Sequence, residues 1–244
     1  MHELISYGPL FLGVFVGAFV SGFAGFAFSA VAGVFILHVR APSEAVPLMM
    51  ACSIVIQVAN LAILRNRMSW RGSATFVIGG ALGIPPALYV LQHVDTARFR
   101  VGFGIFLAVY AAYMLFRPAM ALVQQAQSPR RDAMVGFAGG FVGGLTAMPG
   151  ALPTIWCDLR GLPKTQQRGL VQPFIAVMQM LALLLMLSRR AIPSETLSDF
   201  FVSLPALLAG TTAGLLMFGR VNELVFRRVI LIVLLVSGLG LLLA

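Results

Sequence analysis

The fold of this chain is decided by two glycine-rich stretches, Ser21-Gly-Phe-Ala-Gly-Phe-Ala-Phe-Ser29 and Gly143-Gly-Leu-Thr-Ala-Met-Pro-Gly-Ala-Leu-Pro-Thr154. Each lies inside a longer apolar segment, at 8–38 and at 134–157. Glycine frees the backbone, and the two prolines of the second stretch remove N–H donors, so neither stretch favours an uninterrupted helix. We therefore predict a broken helical segment in each half of the chain.

The composition around these stretches indicates a membrane protein. Of 244 residues, 59% are apolar and 10% charged, with a mean hydropathy of +0.95, whereas a soluble chain carries about 25% charged residues. The other apolar stretches have about the 20 residues needed to cross a hydrocarbon core of about 30 Å. They lie at 45–64, 72–92, 97–117, 168–188, 200–218 and 224–244. The sequence thus predicts an all-α, polytopic membrane protein.

Charge counting predicts how these segments cross, because cytoplasmic loops carry an excess of Lys and Arg. If all eight segments cross, nine basic residues fall on one side and eight on the other. If 8–38 and 134–157 instead enter and return on the same side, the split is twelve against five. We therefore predict six crossings, two re-entrant hairpins and both termini extracytoplasmic. A broken crossing stays open for 134–157, which is the shorter of the two.

The two halves of the chain resemble each other. Gly17–Gly22 aligns with Gly139–Gly144, and Gln57 then aligns with Gln179. The order of such matches is the same in both halves. We predict a repeat at 1–117, a cytoplasmic loop at 118–133 and a second repeat at 134–244. With a hairpin and three crossings each, the repeats run in opposite directions, as in many transporters. The alternative is plain helix packing through small residues.

The helix that restarts after each break offers a site for an anion. Its first N–H groups lack intrahelical partners and carry partial positive charge, so they bind anions without a formal charge. The predicted substrate-binding residues are Ser21, Gly22, Gly25, Phe26, Ser29, Gln57, Gly144, Thr146, Pro149, Gly150, Thr154 and Gln179. Arg40 and Arg168 each follow a broken segment and are predicted to attract anions to the entrance. The alternatives are structural kinks for the breaks and topology signals for the arginines.

Other functions find little support in the sequence. All eight acidic residues fall in or beside predicted loops, so no carboxylate is placed mid-span for a proton relay. No mid-span His or Asp is available to activate Ser or Thr, and Cys52 and Cys157 form no ligand cluster. We expect no enzymatic activity, catalytic residue, metal or cofactor. The net charge of +9 lies in short loops beside apolar spans, which argues against nucleic acid. The expected partners are a small anion and the lipid bilayer, with proton coupling and homodimer formation left open.

The order of several motifs resembles a known family. They are Gly150-Ala-Leu-Pro153, Gly161-Leu-Pro-Lys164 followed by Arg168, Gly210 with Gly214, Phe226-Arg-Arg228 and Ser237-Gly238. In this order the chain resembles the TauE/SafE family of sulfite exporters, also described as organosulfonate permeases. The first half departs from the family pattern, with aromatic residues where a denser glycine run and a proline are usual. The resemblance implies export of sulfite or a sulfur-containing organic anion across a bacterial inner membrane. A permease for an unrelated anion and a non-transporting membrane subunit are the alternatives.

Overall fold

A computed structural model describes residues 2–24, 27–64, 69–116, 128–217, 228, 230–232 and 234–239 of the chain. Within these residues the secondary structure is helical and no strand is present, which confirms the all-α prediction. The helices are α1 (His2–Ala24), α2 (Phe28–Val39), α3 (Pro42–Leu64), α4 (Trp70–His93), α5 (Thr96–Phe116), α6 (Pro129–Thr146), α7 (Ala151–Leu159), α8 (Lys164–Ser188) and α9 (Ser194–Met217). Helical residues follow at 230–232 and 234–239.

Four of these helices are long and apolar enough to cross a membrane. They are Trp70–His93, Thr96–Phe116, Gln166–Ser188 and Ser194–Met217, and they correspond to four of the predicted crossings. Shorter apolar helices occur at Tyr7–Gly22, Phe28–Val39, Pro42–Val58 and Ile230–Leu239. The outward faces of the long helices carry large apolar side chains such as Ile78 and Leu82, which suit a lipid environment. The chain is a multi-pass membrane protein.

The first glycine-rich segment folds back on itself at its break. Gly17 of α1 lies against Phe28 and Ala32 of α2, and Gly13, one turn earlier, lies against Phe35. The short helix α2 therefore runs back along α1. With 23 and 12 residues, the two helices are about 34 Å and about 18 Å long. Helix α1 begins at His2, before the predicted segment 8–38, so the first arm is the longer one.

The second segment also reverses direction. Gly143 of α6 packs against Pro149 and Gly139 packs against Pro153, so α7 turns back along α6. Helix α6 begins at Pro129, inside the predicted loop 118–133. This boundary was missed because charged residues fill the first turn, where proline and exposed side chains are tolerated.

The chain divides into two compact units that differ from the two sequence halves. The first unit comprises Met1–Ile56, Val94–Arg117 and Ile192–Ala244, and the second comprises Gln57–His93 and Pro118–Ala191. Each unit thus combines a broken segment from one half with a long helix from the other half. The repeats at 1–117 and 134–244 remain a prediction about sequence similarity.

Within each unit, the long arm of the broken segment packs closely against that borrowed helix. In the first unit Gly210 of α9 lies against Phe15 and Ala18 of α1, and Gly22 lies against Thr211. In the second unit the contact is between α4 and α6, where Gly79 meets Ala133, Gly83 meets Phe137 and Gly144 meets Ala87. Residue numbers rise together along each pair, so both pairs run parallel. Packing explains these glycines, as expected for close helix approach in membranes.

Candidate functional site

The break of the second unit is built by a few local hydrogen bonds. Helix α6 ends at Thr146, and the next residue, Ala147, has the left-handed conformation with φ 57° and ψ 22°. The Thr146 hydroxyl donates to the Val142 carbonyl at 2.8 Å and accepts from the Met148 N–H at 3.3 Å. The predicted ligand Thr146 therefore uses its hydroxyl to stabilise the break itself.

The residues after Ala147 are packed between α6 and α8. Gly150 lies against the side chains of Val171 and Ile175 on α8, and Pro149 covers the glycines of α6. The Gln179 amide N–H donates to the Ala147 carbonyl at 3.2 Å. The structure thus brings Gln179 to the break, as the sequence predicted, with a backbone carbonyl as one of its partners.

The first turn of α7 offers fewer donors than an ordinary helix start. The Ala151 N–H donates to the Met148 carbonyl at 3.3 Å, and Pro153 has no N–H. This leaves the Leu152 N–H as the first-turn donor without an acceptor among the described residues. Thr154 lies further along, where its N–H bonds the Gly150 carbonyl and its own carbonyl accepts from Gln167.

The break of the first unit also contains a left-handed alanine. Ala27 has φ 74° and ψ 12° and immediately precedes α2. Backbone strain of this kind costs on the order of 1–3 kcal/mol and clusters at functional sites. Ser21 and Ser29, on either side of the break, are buried. Gly25 and Phe26, predicted to bind substrate, lie outside the described residues.

Arg40, predicted to attract anions, forms an ion pair instead. Its Nε and Nη2 donate to the two Asp199 carboxylate oxygens at 2.6 and 3.0 Å, and its guanidinium lies 5.7 Å from the centre of the Tyr7 ring. The hydrogen bond with Asp199 raises the pKa of Arg40, although burial opposes this shift. The carboxylate offsets the charge that the sequence analysis assigned to the entrance.

The structural counterpart of Arg40 is Arg160, where the sequence suggested Arg168. Arg40 ends α2 and Arg160 ends α7, each at the same distance along the chain from its left-handed alanine. Arg160 donates to Asp132 at 3.3 Å, and the Trp156 indole N–H donates to the same oxygen at 2.8 Å. Arg168 is exposed on α8. The equal spacing after the two breaks is a signal that the sequence analysis overlooked.

The predicted site residues fall in both units. The first unit contains Ser21, Gly22, Ser29 and Arg40, and the second contains Gln57, Gly144, Thr146, Pro149, Gly150, Thr154, Arg168 and Gln179. Gln57 is buried in α3, and Gly144 belongs to the contact with α4. Within the second unit, the break, the first turn of α7 and the face of α8 with Gln179 come together.

These features define a helical multi-pass membrane protein with two broken segments, each ending in an ion pair between a partly buried arginine and a buried aspartate. The family model for the sulfite exporter TauE/SafE matches residues 10–241, and the chain belongs to this family. No curated protein and no solved structure matches the chain. Membership confirms the resemblance inferred from the motifs. It implies membrane transport of sulfur-containing anions and is consistent with a protein that is not an enzyme.

Proposed function

We propose that this protein is a secondary transporter that exports sulfite, an organosulfonate or a related small sulfur-containing anion across a bacterial inner membrane by alternating access. The observation that carries the proposal is the family match over residues 10–241. The two helix breaks support it, because irregular backbone in a membrane protein is tolerated where it is buried in protein or lines a wet cavity.

The anion would be recognised by neutral donors. The arginines that end α2 and α7, Arg40 and Arg160, lie at the ends of these helices away from the breaks, and each pairs with a carboxylate. The Leu152 N–H and the first N–H groups of α2 carry the partial positive charge of a helix start. Such donors suit an oxyanion that must be released after each cycle, since binding without a full counter-charge is weaker.

The reversal at each break supports an inverted repeat. Between α1 and α6 the chain passes through α2, α3, α4 and α5. If consecutive helices alternate in direction, five reversals separate α1 from α6 and the two run oppositely. The same alternation makes α1 parallel to α9 and α4 parallel to α6, as their contacts require. Inverted repeats with broken helices are a common plan for alternating access. With the charge bias of the loops, this topology keeps both termini extracytoplasmic.

The first test is anion flux in proteoliposomes that contain only the purified protein. Sulfite, thiosulfate, taurine, sulfoacetate and sulfate would be compared, with and without a pH gradient. Saturable flux of a sulfur-containing anion supports the proposal and identifies the substrate. Absence of flux for every anion would reject it and favour a non-transporting membrane subunit or a permease for another solute.

A backbone substitution tests the binding site itself. Leu152→Pro removes the N–H of the first turn of α7, where proline is tolerated, and Leu152→Ala removes the side chain alone. A hydrogen bond to a charged group contributes about 1.5–3 kcal/mol, so we expect KM to rise about 10- to 100-fold in the proline variant only. Equal KM values in the two variants would contradict a role for this N–H.

A further inference from the structure

One carboxylate lies buried within a candidate membrane span. Asp199 is in the second turn of α9, in the span Ser194–Met217, and is 2% exposed. The sequence analysis placed it beside a loop. The carboxylates in the four candidate spans are Asp199 and Glu195, and Glu195 is exposed. Ionisable groups inside a membrane are costly and usually serve a function.

Two buried hydroxyls flank this carboxylate on the same face of α9. Thr196 precedes Asp199 by three residues and Ser203 follows it by four, spacings that place all three side chains together. They are 4% and 0% exposed, and neither hydroxyl has a hydrogen-bond partner among the described residues. Later in the same helix, Thr211 bonds the carbonyl one turn back. These two hydroxyls can therefore form hydrogen bonds with a water beside Asp199 without giving up an existing partner.

The described charged and titratable groups around Asp199 come from α1, α2 and α3 as well as from α9. From the end of α2 comes Arg40, and from α1 comes Tyr7, whose ring faces the guanidinium. Glu44, in the first turn of α3, acts on Arg40 through its charge. His38, near the end of α2, is exposed and bonds the Val34 carbonyl. On α9 itself Glu195 is exposed, and the side chains of residues 2–6 in α1 lie outside the described residues.

The ion pair also connects the end of α2 to α9. Arg40 is the C-terminal cap of α2, the helix that starts at the break of the first unit. A protonated Asp199 loses the charge that attracts Arg40, which weakens the attachment of the end of α2 to α9. Asp132 in the second unit differs, because it also accepts from Trp156, an indole donor that does not titrate.

We propose that Asp199 is a proton-binding site that couples anion export to proton movement, with Arg40 as its counter-ion. A proton from water on one side of the membrane binds a carboxylate oxygen, and the two hydrogen bonds from Arg40 are broken. The same proton leaves to water on the other side, and the pair forms again. This inference rests on the proposed function, since it assigns the coupling ion of the same transporter.

The test compares three variants with the wild-type protein in proteoliposomes. Asp199→Asn keeps an acceptor for Arg40 but cannot carry a proton, and the double variant R40Q/D199N removes both charges. Glu195→Gln is the matched control, an exposed carboxylate in the same helix. Each protein is assayed for anion exchange without a gradient and for net flux with pH gradients of both signs. Infrared difference spectra on acidification detect the C=O band of a protonated carboxyl group independently of transport.

Linked sites typically change each other's affinity about 5- to 150-fold, so we expect the gradient to change wild-type flux at least about fivefold. Asp199→Asn should retain exchange, lose the response to the gradient and lack the infrared band, while Glu195→Gln behaves as wild type. A wild-type response in Asp199→Asn would overturn the proposal. So would loss of exchange in both the single and the double variant while they remain folded, because the pair is then structural.

The outcomes separate this inference from the proposed function. If the wild-type flux does not change with the pH gradient, proton coupling is rejected but anion transport is still supported. No flux for any anion rejects the proposed function, and the infrared band alone then decides whether Asp199 binds a proton.

Discussion

Each break has a left-handed alanine and is followed by a short helix that ends in an arginine, but different contacts stabilise the two breaks. In the second unit, Arg160 and Trp156 bond to Asp132, which lies only 28 and 24 residues away, and Thr146 caps the break from within. In the first unit, Arg40 bonds to Asp199, which is 159 residues away. The second break is thus stabilised by its own segment and the first by a helix from the other half. We infer that the first break is the one whose attachment can be switched.

The largest effect is expected where two helix backbones meet in the second unit. A Cβ on Gly140 would overlap the backbone of Gly80, whereas one on Gly150 would meet the end of the flexible Ile175 side chain. Gly140→Ala should therefore destabilise the protein by more than the about 1–3 kcal/mol of ordinary overpacking, and Gly150→Ala by much less. Thermal unfolding in detergent checks the difference, with Gly102→Ala as the control because open space surrounds Gly102. Equal melting temperatures for Gly140→Ala and Gly150→Ala would show that the backbones of α4 and α6 are not packed as closely as described.

Removing the carboxylate from each ion pair compares the two attachments directly. Asp132→Ala and Asp199→Ala each remove the carboxylate from a partly buried arginine, and breaking a fully buried pair typically costs about 3–5 kcal/mol, so we expect less than this here. We expect Asp132→Ala to cost more, because it also leaves the Trp156 indole N–H without its acceptor. The double variants with Arg160→Gln and Arg40→Gln should recover part of the loss. If Asp199→Ala had the same melting temperature as the wild-type protein, the Arg40 pair would contribute nothing to stability.

The smallest effect is expected at the two left-handed alanines. Glycine adopts a positive φ without the steric cost that a Cβ imposes, about 1–2 kcal/mol. Ala27→Gly and Ala147→Gly should each raise stability by up to about 1 kcal/mol, measured as a shift in melting temperature. If Ala27→Gly also lowers the transport rate, the strain at the first break is part of the transport cycle. A destabilised Ala147→Gly would contradict the left-handed conformation of that residue.

The sequence predicted the features that depend on local composition. Apolar length identified the spans, and glycine, joined by proline in the second segment, identified the breaks, because these residues act on the backbone where they stand. The start of α6 at Pro129 was missed because Arg130 and Arg131 look like loop residues, although a first helical turn can expose them to water. Asp199 was placed outside α9 for the same reason, because a charged residue near the end of a span resembles a loop residue.

The candidate site shows a second limit of local reasoning. Gln179 lies at the break, where its amide bonds the Ala147 carbonyl, and its role in substrate binding stays a prediction. Arg40 was interpreted as an unpaired entrance charge, since nothing near it in sequence indicates Asp199. Arg168 was chosen because it follows the broken segment 134–157, as Arg160 also does. Long-range pairing thus decided the roles of the arginines, and such pairing leaves no trace in the local pattern.

The separation of Arg40 from Asp199 has a consequence for how the protein is made. A chain is synthesised and inserted from its N-terminus, and its parts assemble as they emerge. Asp132, Trp156 and Arg160 leave the ribosome close together, so the second hairpin can close early. Arg40 gains its two bonds to Asp199 only after α9 has been synthesised, 159 residues later. Completion of the first unit is therefore a later event than closure of the second hairpin, and a chain that lacks α9 would lack the carboxylate that holds the end of α2.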